Sequence, residues 1–286
     1  MALLRDAAGL VTLLCHGTRR VEWHFTADED EVRASLLPPL PCGAHLDIRT
    51  LPADGDSNVG GRVWHSAPVM CRWLASIAAE IDGAAVVELG CGTGACGIYC
   101  TALGASRVVL TDGGAEPLLR LAAQNLRVAR ESDARVARCI AEVRPLAWGC
   151  SDRSLPEGYF DWIIGSDIIY DPSAHAALCR TLRALLLRMP APDVLRGPSA
   201  QIRPRAVLCT MPRGCVKVDG QASESYVEAA LVRFTSAAAQ HALCVTAVKG
   251  DAVRPPAVVG TPFRWTATSF RTAGPFLLEV SLTVTD

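Results

Sequence analysis

Nine residues restrict the choice of fold more than any other part of the chain: Val86-Val-Glu-Leu-Gly-Cys-Gly-Thr-Gly94. An apolar run leads into glycines at every second position, and the helix-like segment Ala95–Leu103 follows, ended by Gly104. A buried strand that turns at once into a helix needs positive φ and close backbone approach, and glycine supplies both. The spacing is G-x-G-x-G, not the G-x-G-x-x-G of dinucleotide binders. In an open α/β sheet, ligands lie at the carboxyl ends of the strands, so this turn is expected to face one. Glu88 stands just before the glycines. An acid there would repel a pyrophosphate and suits a cationic group such as a sulfonium amino acid.

The rest of the chain supports that frame. Helix-like segments at His65–Glu80, Ala95–Leu103, Glu116–Arg130, Ser173–Arg188 and Ser223–His241 alternate with strand-like ones. The strand-like segments are Ala85–Leu89, Arg107–Leu110, Arg135–Ala141, Asp161–Gly165, Ala206–Thr210, Leu243–Val248 and Phe276–Val284. Such alternation predicts an α/β, Rossmann-like fold with a seven-stranded, mostly parallel sheet and helices on both faces. Its strands are continuous apolar runs, as strands buried on both faces are. Residues 1–60 read differently. Val11–Cys15, Val21–Phe25 and His45–Leu51 are short strand candidates between polar and Pro-rich turns. We therefore expect a small N-terminal β-rich appendage over 1–60 and one ligand-binding domain over 61–286. Residues 190–204 and 250–275 read as long loops, which are often functional.

Composition excludes several classes. Half of the 286 residues are hydrophobic and a fifth are charged, so a large core can be buried. Net charge is −1, which gives no electrostatic case for nucleic acid or an anionic membrane. No run approaches the ~20 apolar residues of a membrane span. Twelve cysteines are present, but no C-x-x-C pair occurs, and many fall inside apolar runs (Cys71, Cys100, Cys139, Cys179, Cys209, Cys244). A free thiol packs there as a small hydrophobe. Cys96 and Cys100 are one helical turn apart and supply at most half a metal site, so no metal is expected. We therefore expect a reduced protein of the cytoplasm or nucleus, and, as a separate expectation, a monomer.

Asp112 ends Val108-Val-Leu-Thr-Asp112, eighteen residues after Gly94. An acid at the end of the second strand can accept both ribose hydroxyls of a nucleoside; the alternative is a cap for the next helix. Together with Gly61-Arg-Val-Trp64, Asn125, Leu146-Ala-Trp-Gly149 and Asp161–Asp171, these motifs occur in an order that resembles the seven-strand protein-lysine methyltransferases of methyltransferase family 16. The likeness spans about residues 45–248. Its most specific element is Asp167-Ile-Ile-Tyr170, which matches a D-x-x-Y motif after the fourth strand.

The resemblance implies S-adenosyl-L-methionine as cofactor and a protein as substrate. Trp64 would lie near the methionine end of the cofactor, and Glu88 with Gly90, Gly92 and Gly94 would hold its amino acid part. Asp112 would bind the ribose and Trp148 would flank the adenine. Asp167 and Tyr170 would line the channel for the incoming amine, Asp167 also touching the cofactor. The sequence departs from the family at Met211-Pro-Arg-Gly214 and in the loops 190–204 and 250–275. Substrate choice is expected there and in residues 1–60. Two alternatives stand beside a lysine acceptor: a histidine or small-molecule methyltransferase, and a non-catalytic scaffold that keeps the cofactor pocket. A nucleic-acid amine acceptor fits poorly, since Asp-Ile-Ile-Tyr replaces a proline-rich motif.

Overall fold

The computed structural model describes residues 37–43, 45–51, 60–64, 66–113, 116–150, 155–188, 204–210, 230–248 and 277–283 in full, and the backbone alone at 2–5, 11–14, 217–218, 221–222, 226–229 and 276. A sheet of seven strands organises it. In chain order these are β3 (Ala85–Leu89), β4 (Arg107–Asp112), β5 (Ile140–Pro145), β6 (Trp162–Ser166), β7 (Arg205–Thr210), β10 (Leu243–Ala247) and β11 (Phe276–Leu282). Two short hairpins, β1 (Ala2–Arg5) with β2 (Val11–Leu14) and β8 (Lys217–Val218) with β9 (Gln221–Ala222), stand outside it. The spatial order is β10-β11-β7-β6-β3-β4-β5. The five strands β3 to β7 pair in parallel, and β11 is antiparallel to both its neighbours.

Both faces of the sheet are covered, and the pleat decides which residue serves which face. Val86, Val108, Leu110, Trp162, Ile164 and Val207 point to one side. There they meet helices α1 (Ser66–Ser76), α3 (Ala95–Ala102) and α4 (Glu116–Ser132). Val87, Leu89, Val109, Ile163, Ala206 and Leu208 point to the other, against α6 (His175–Leu186) and α7 (Tyr226–Gln240). Helix boundaries follow local chemistry. Pro68 sits in the first turn of α1, where its missing N–H costs nothing. Gly104, at φ +104°, closes α3: its N–H reaches Thr101 O, and Ala105 N reaches Cys100 O. That is the paired 5→2 and 6→1 arrangement of a Schellman stop. Helix α4 buries Leu118, Leu121, Ala122, Asn125, Leu126 and Ala129, one face at helical spacing.

Three expectations need correction. Arg135–Ala141 is not a strand. Asp133 caps a short helix α5 (Ala134–Arg138) by accepting from Arg135 N at 2.7 Å, and β5 begins only at Ile140. His45–Leu51 is not a strand either, because the Arg49 backbone pairs with a side chain and Leu51 N with Gly61 O at 2.8 Å. Cys244 is exposed, not core. The other helices and strands of the sheet lie within a few residues of their expected ranges. Short helix α2 (Ala78–Ile81) continues the expected 65–80 helix after a break at Ile77. Leu37, Leu40 and Leu46 pack into the α1–α3 side of the core, and Tyr99 Oη donates to Pro39 O at 3.0 Å. The loops 190–204 and 250–275, the Val21–Phe25 strand candidate and Met211–Gly214 lie outside the described residues, apart from Pro204, which is buried. The ten described cysteines are free thiols. Among the described residues no helix is long and apolar enough to cross a membrane.

Trp162 is the largest fully buried side chain among the described residues. Its ring meets Trp73 edge-on at 5.6 Å, and the Arg205 guanidinium lies 4.6 Å from its centroid. Its indole N–H has no hydrogen-bond partner. Trp162→Ala should therefore cost ~3–5 kcal/mol through the cavity it leaves. Trp162→Phe should cost much less, since it keeps an aromatic ring and removes an unpaired donor. Denaturant titration decides this; a Trp162→Ala variant as stable as wild type would refute it.

Candidate active site

The chain runs outward from β3 through β4 to β5, then returns to place β6 on the other side of β3. Such a switch in strand order leaves a crevice beyond the carboxyl ends of the central strands. Here it is a cleft of about 530 Å³. Trp64, Glu88, Gly90, Gly92, Asp112, Trp148, Asp167 and Tyr170 all line it. Gly94 does not line the cleft; it serves as the left-handed N-cap of α3 at φ +81°.

The glycine turn is shaped by close contacts. Gly90 and Gly92 have φ +62° and +52°. A Cβ on Gly92 would come within 2.5 Å of Gly60 O, and one on Gly90 within 2.7 Å of Ile168 Cγ2. Gly92 N donates to Asp112 Oδ2 at 2.8 Å, so Asp112 also fixes the turn beside the cleft.

Glu88 shares the sheet face of Val86 and lies beneath α3. Its Oε2 accepts from Gly97 N at 2.8 Å. Gly97 permits this approach, for a Cβ there would stand 2.7 Å from Oε2 and 2.1 Å from Leu110 Cδ2. Burial is the main cause that lifts the Glu88 pKa from the ordinary 4.5 to about 8, and the Asp112 charge adds to it. The Gly97 N–H and Cys96 work in the opposite direction without cancelling the rise. The carboxyl thus holds its proton near neutral pH, and a cation beside it would draw the value down.

Asn125, which the sequence singled out without a role, is a clasp. Its Nδ2 donates to Arg49 O at 3.0 Å and to Thr93 O at 2.9 Å, while Oδ1 accepts from Arg49 N at 3.0 Å. It bolts the 45–51 segment to the glycine turn. The adjoining 60–64 segment brings Gly60, Arg62, Val63 and Trp64 to the cleft. Ser166 Oγ donates to Ser66 Oγ at 3.1 Å, tying the start of α1 to the end of β6.

The D-x-x-Y segment divides by burial. Asp167 is left-handed at φ +57°, and its N–H donates to Cys209 O at 2.8 Å. Positive φ is strained for this residue type and clusters at functional sites. Ile168 and Ile169 are buried and hold the segment down, and His175 Nε2 pairs with Ile169 O at 2.9 Å. Tyr170 is 38% exposed at the rim. The Trp148 indole N–H is buried without a hydrogen-bond partner on the cleft wall. Sequence reasoning missed Gly60 and Gly97, and gave no role to Arg62 and Ser166 within the motifs Gly61–Trp64 and Asp161–Asp171. Of the two missed, Gly97 left a signal, as a lone glycine inside a helical pattern.

A family model described as lysine methyltransferase matches residues 45–197, more than half of the chain. The chain belongs to this family. It is 35% identical over 127 residues to the Danio rerio protein N-lysine methyltransferase METTL21A, covering 44% of this chain and 56% of that protein. It is 30% identical over 145 residues to the Xenopus tropicalis EEF1A lysine methyltransferase 3, covering 50% and 60%. The chain thus spans somewhat over half the length of the curated relatives it matches. Among solved structures, magnesium protoporphyrin IX methyltransferase from Synechocystis PCC 6803 aligns at a TM-score of 0.43 and 18% identity, over 76% of this chain and 82% of that one.

Two outcomes follow from the site. A carboxyl whose pKa rises on folding favours the native state fully below its unfolded value of 4.5 and loses that contribution as pH climbs towards about 8. The melting temperature should fall across that window, and Glu88→Gln, which cannot ionise, should flatten the fall. Parallel pH profiles of the two proteins would disprove the assignment. Asn125→Ala should destabilise by ~2 kcal/mol or more, because it strands Arg49 and Thr93 backbone groups. Asn125→Asp keeps the acceptor for Arg49 N and should fare better at mildly acidic pH; denaturant midpoints check both.

Proposed function

We propose that this family member transfers a methyl group from S-adenosyl-L-methionine to a lysine side chain of a protein. The reading rests above all on one convergence. The glycine turn, Glu88, Asp112, left-handed Asp167 and exposed Tyr170 all line one cleft. Membership of a lysine methyltransferase family supports the same reaction. The ten described free thiols favour a reducing compartment, cytoplasmic or nuclear.

The donor set fits a cationic amino acid joined to a nucleoside. Glu88 gains its negative charge most readily beside a cation, and the glycines leave room that a Cβ would fill. Asp112 offers a carboxylate for ribose hydroxyls, and Trp148 an aromatic face for a base. Trp64 lines the same cleft. When bound, S-adenosyl-L-methionine supplies a methyl group made electrophilic by its sulfonium sulfur.

The protein's own residues must then present a neutral amine in line. An unperturbed lysine has a pKa of ~10.4, so deprotonation at pH 7 costs ~4–5 kcal/mol. Partial burial and a nearby positive charge both reduce that cost. Asp167 receives the incoming ammonium at the mouth. Its strained backbone holds the carboxylate aimed, and the Tyr170 hydroxyl orients the nitrogen while its ring excludes water. The proton leaves to solvent at the rim. Positioning therefore carries most of the rate.

Incubation with labelled S-adenosyl-L-methionine and cell lysate, followed by mass spectrometry, should place the label on lysine. Asp167→Ala should lower transfer ~10²-fold or more under saturating cofactor, with Tyr170→Phe causing a modest loss. Asp112→Ala should instead weaken cofactor binding by ~1–3 kcal/mol. Label on histidine would replace the acceptor, and absence of cofactor binding in calorimetry would end the reading.

A further inference from the structure

A second cavity, of about 690 Å³, lies between the later turns of α6 and the end of α7 with residues 241–242. Arg180, Arg183, Arg188 and His241 line it, together with Leu187, which is 49% exposed. None of its lining residues is acidic. This concentration of positive charge is local, since the whole chain carries a net charge of −1.

Ordinary structural roles account for only part of it. Arg188 Nη1 donates to the carbonyls of Pro156 and Gly158, so it braces a loop. Arg183 falls in the last turn of α6, where a cation favours the helix dipole. Arg180 lies well before that turn, beyond the reach of the dipole. Neither Arg180 nor Arg183 has a carboxylate within ion-pair distance among the described residues. Both are exposed.

Position connects this face to the cleft. Ala174 and Ala177 of the same segment line the cleft. Arg180 is one turn further, packed beside Gly149, which follows the cleft residue Trp148. Arg183 is six residues from Ala177, about 9 Å along the axis. The two guanidiniums thus form a basic track that starts at the cleft rim.

We propose that the outer face of α6, through Arg180 and Arg183, docks an acidic segment of the protein substrate whose lysine enters the cleft. This deepens the functional reading above and rests on it. Guanidiniums pair carboxylates in bidentate fashion, and exposed Leu187 offers an apolar contact beside them. The acidic residues would lie roughly 10–15 Å from the rim, given the helix rise and the reach of arginine. A single-stranded nucleic acid fits less well, because no Phe, Tyr or Trp lines the cavity for base stacking.

Fluorescence anisotropy with fluorescein-labelled octaglutamate tests the surface directly. Wild-type protein should bind it saturably at low salt, and more weakly as salt rises. Arg180→Glu/Arg183→Glu should bind at least tenfold more weakly, while melting temperature and S-adenosyl-L-methionine affinity by calorimetry stay as in wild type. No octaglutamate binding by wild type, or equal binding by the double variant, overturns the proposal. Tighter binding of labelled octauridylate than of octaglutamate overturns it in favour of a nucleic-acid surface. Because the peptide assay needs no methyl transfer, a wild type that binds octaglutamate but not S-adenosyl-L-methionine would sink the functional reading alone.

Discussion

Strand β3 is buried on both faces, and the other features of the molecule depend on that burial. Val86 looks to α1 and α3, while Val87 and Leu89 look to the opposite layer. A strand enclosed in this way needs a helix on each side, and it can leave the sheet only at its carboxyl end. Strand order reverses around it, so the chain cannot fill the space beyond Leu89. The cleft is the geometric consequence of that reversal.

Inside this constraint, small residues allow polar groups to be buried. Glu88 occupies a position that its neighbours fill with apolar side chains. It is tolerated because α3 comes close enough to donate Gly97 N–H, and that approach requires glycine. An isolated buried carboxylate would be costly, so the group keeps its proton near neutral pH. The same logic applies at Asn125. Its amide meets three backbone partners, so the 45–51 segment needs no neighbouring strand to satisfy Arg49.

Strain at the mouth of the cleft has a visible support. Asp167 departs from ordinary backbone geometry between two firm anchors. One is its N–H bond to Cys209 O at the end of β7, and the other is the buried Ile168-Ile169 pair. Buried Asp167 and exposed Tyr170, both lining the cleft, are therefore carried by a firmly anchored backbone.

The sequence by itself determined the α/β class, the seven sheet strands in outline and the acidic and aromatic residues that line the cleft. Continuous apolar runs, a glycine turn and acids at strand ends are local signals, each written in consecutive residues. It misread Arg135–Ala141, because one capping residue, Asp133, outweighed an apolar pattern too short to distinguish helix from strand. It misread His45–Leu51, because the partner of Arg49 is a side chain 76 residues away. Tertiary structure alone decided that Asp112 holds Gly92, that Glu88 lies under Gly97 and that Ser166 meets Ser66. It alone placed Arg180 beside the cleft wall. Those are contacts between elements, set by how helices pack on a twisted sheet, and no spacing within the chain encodes them.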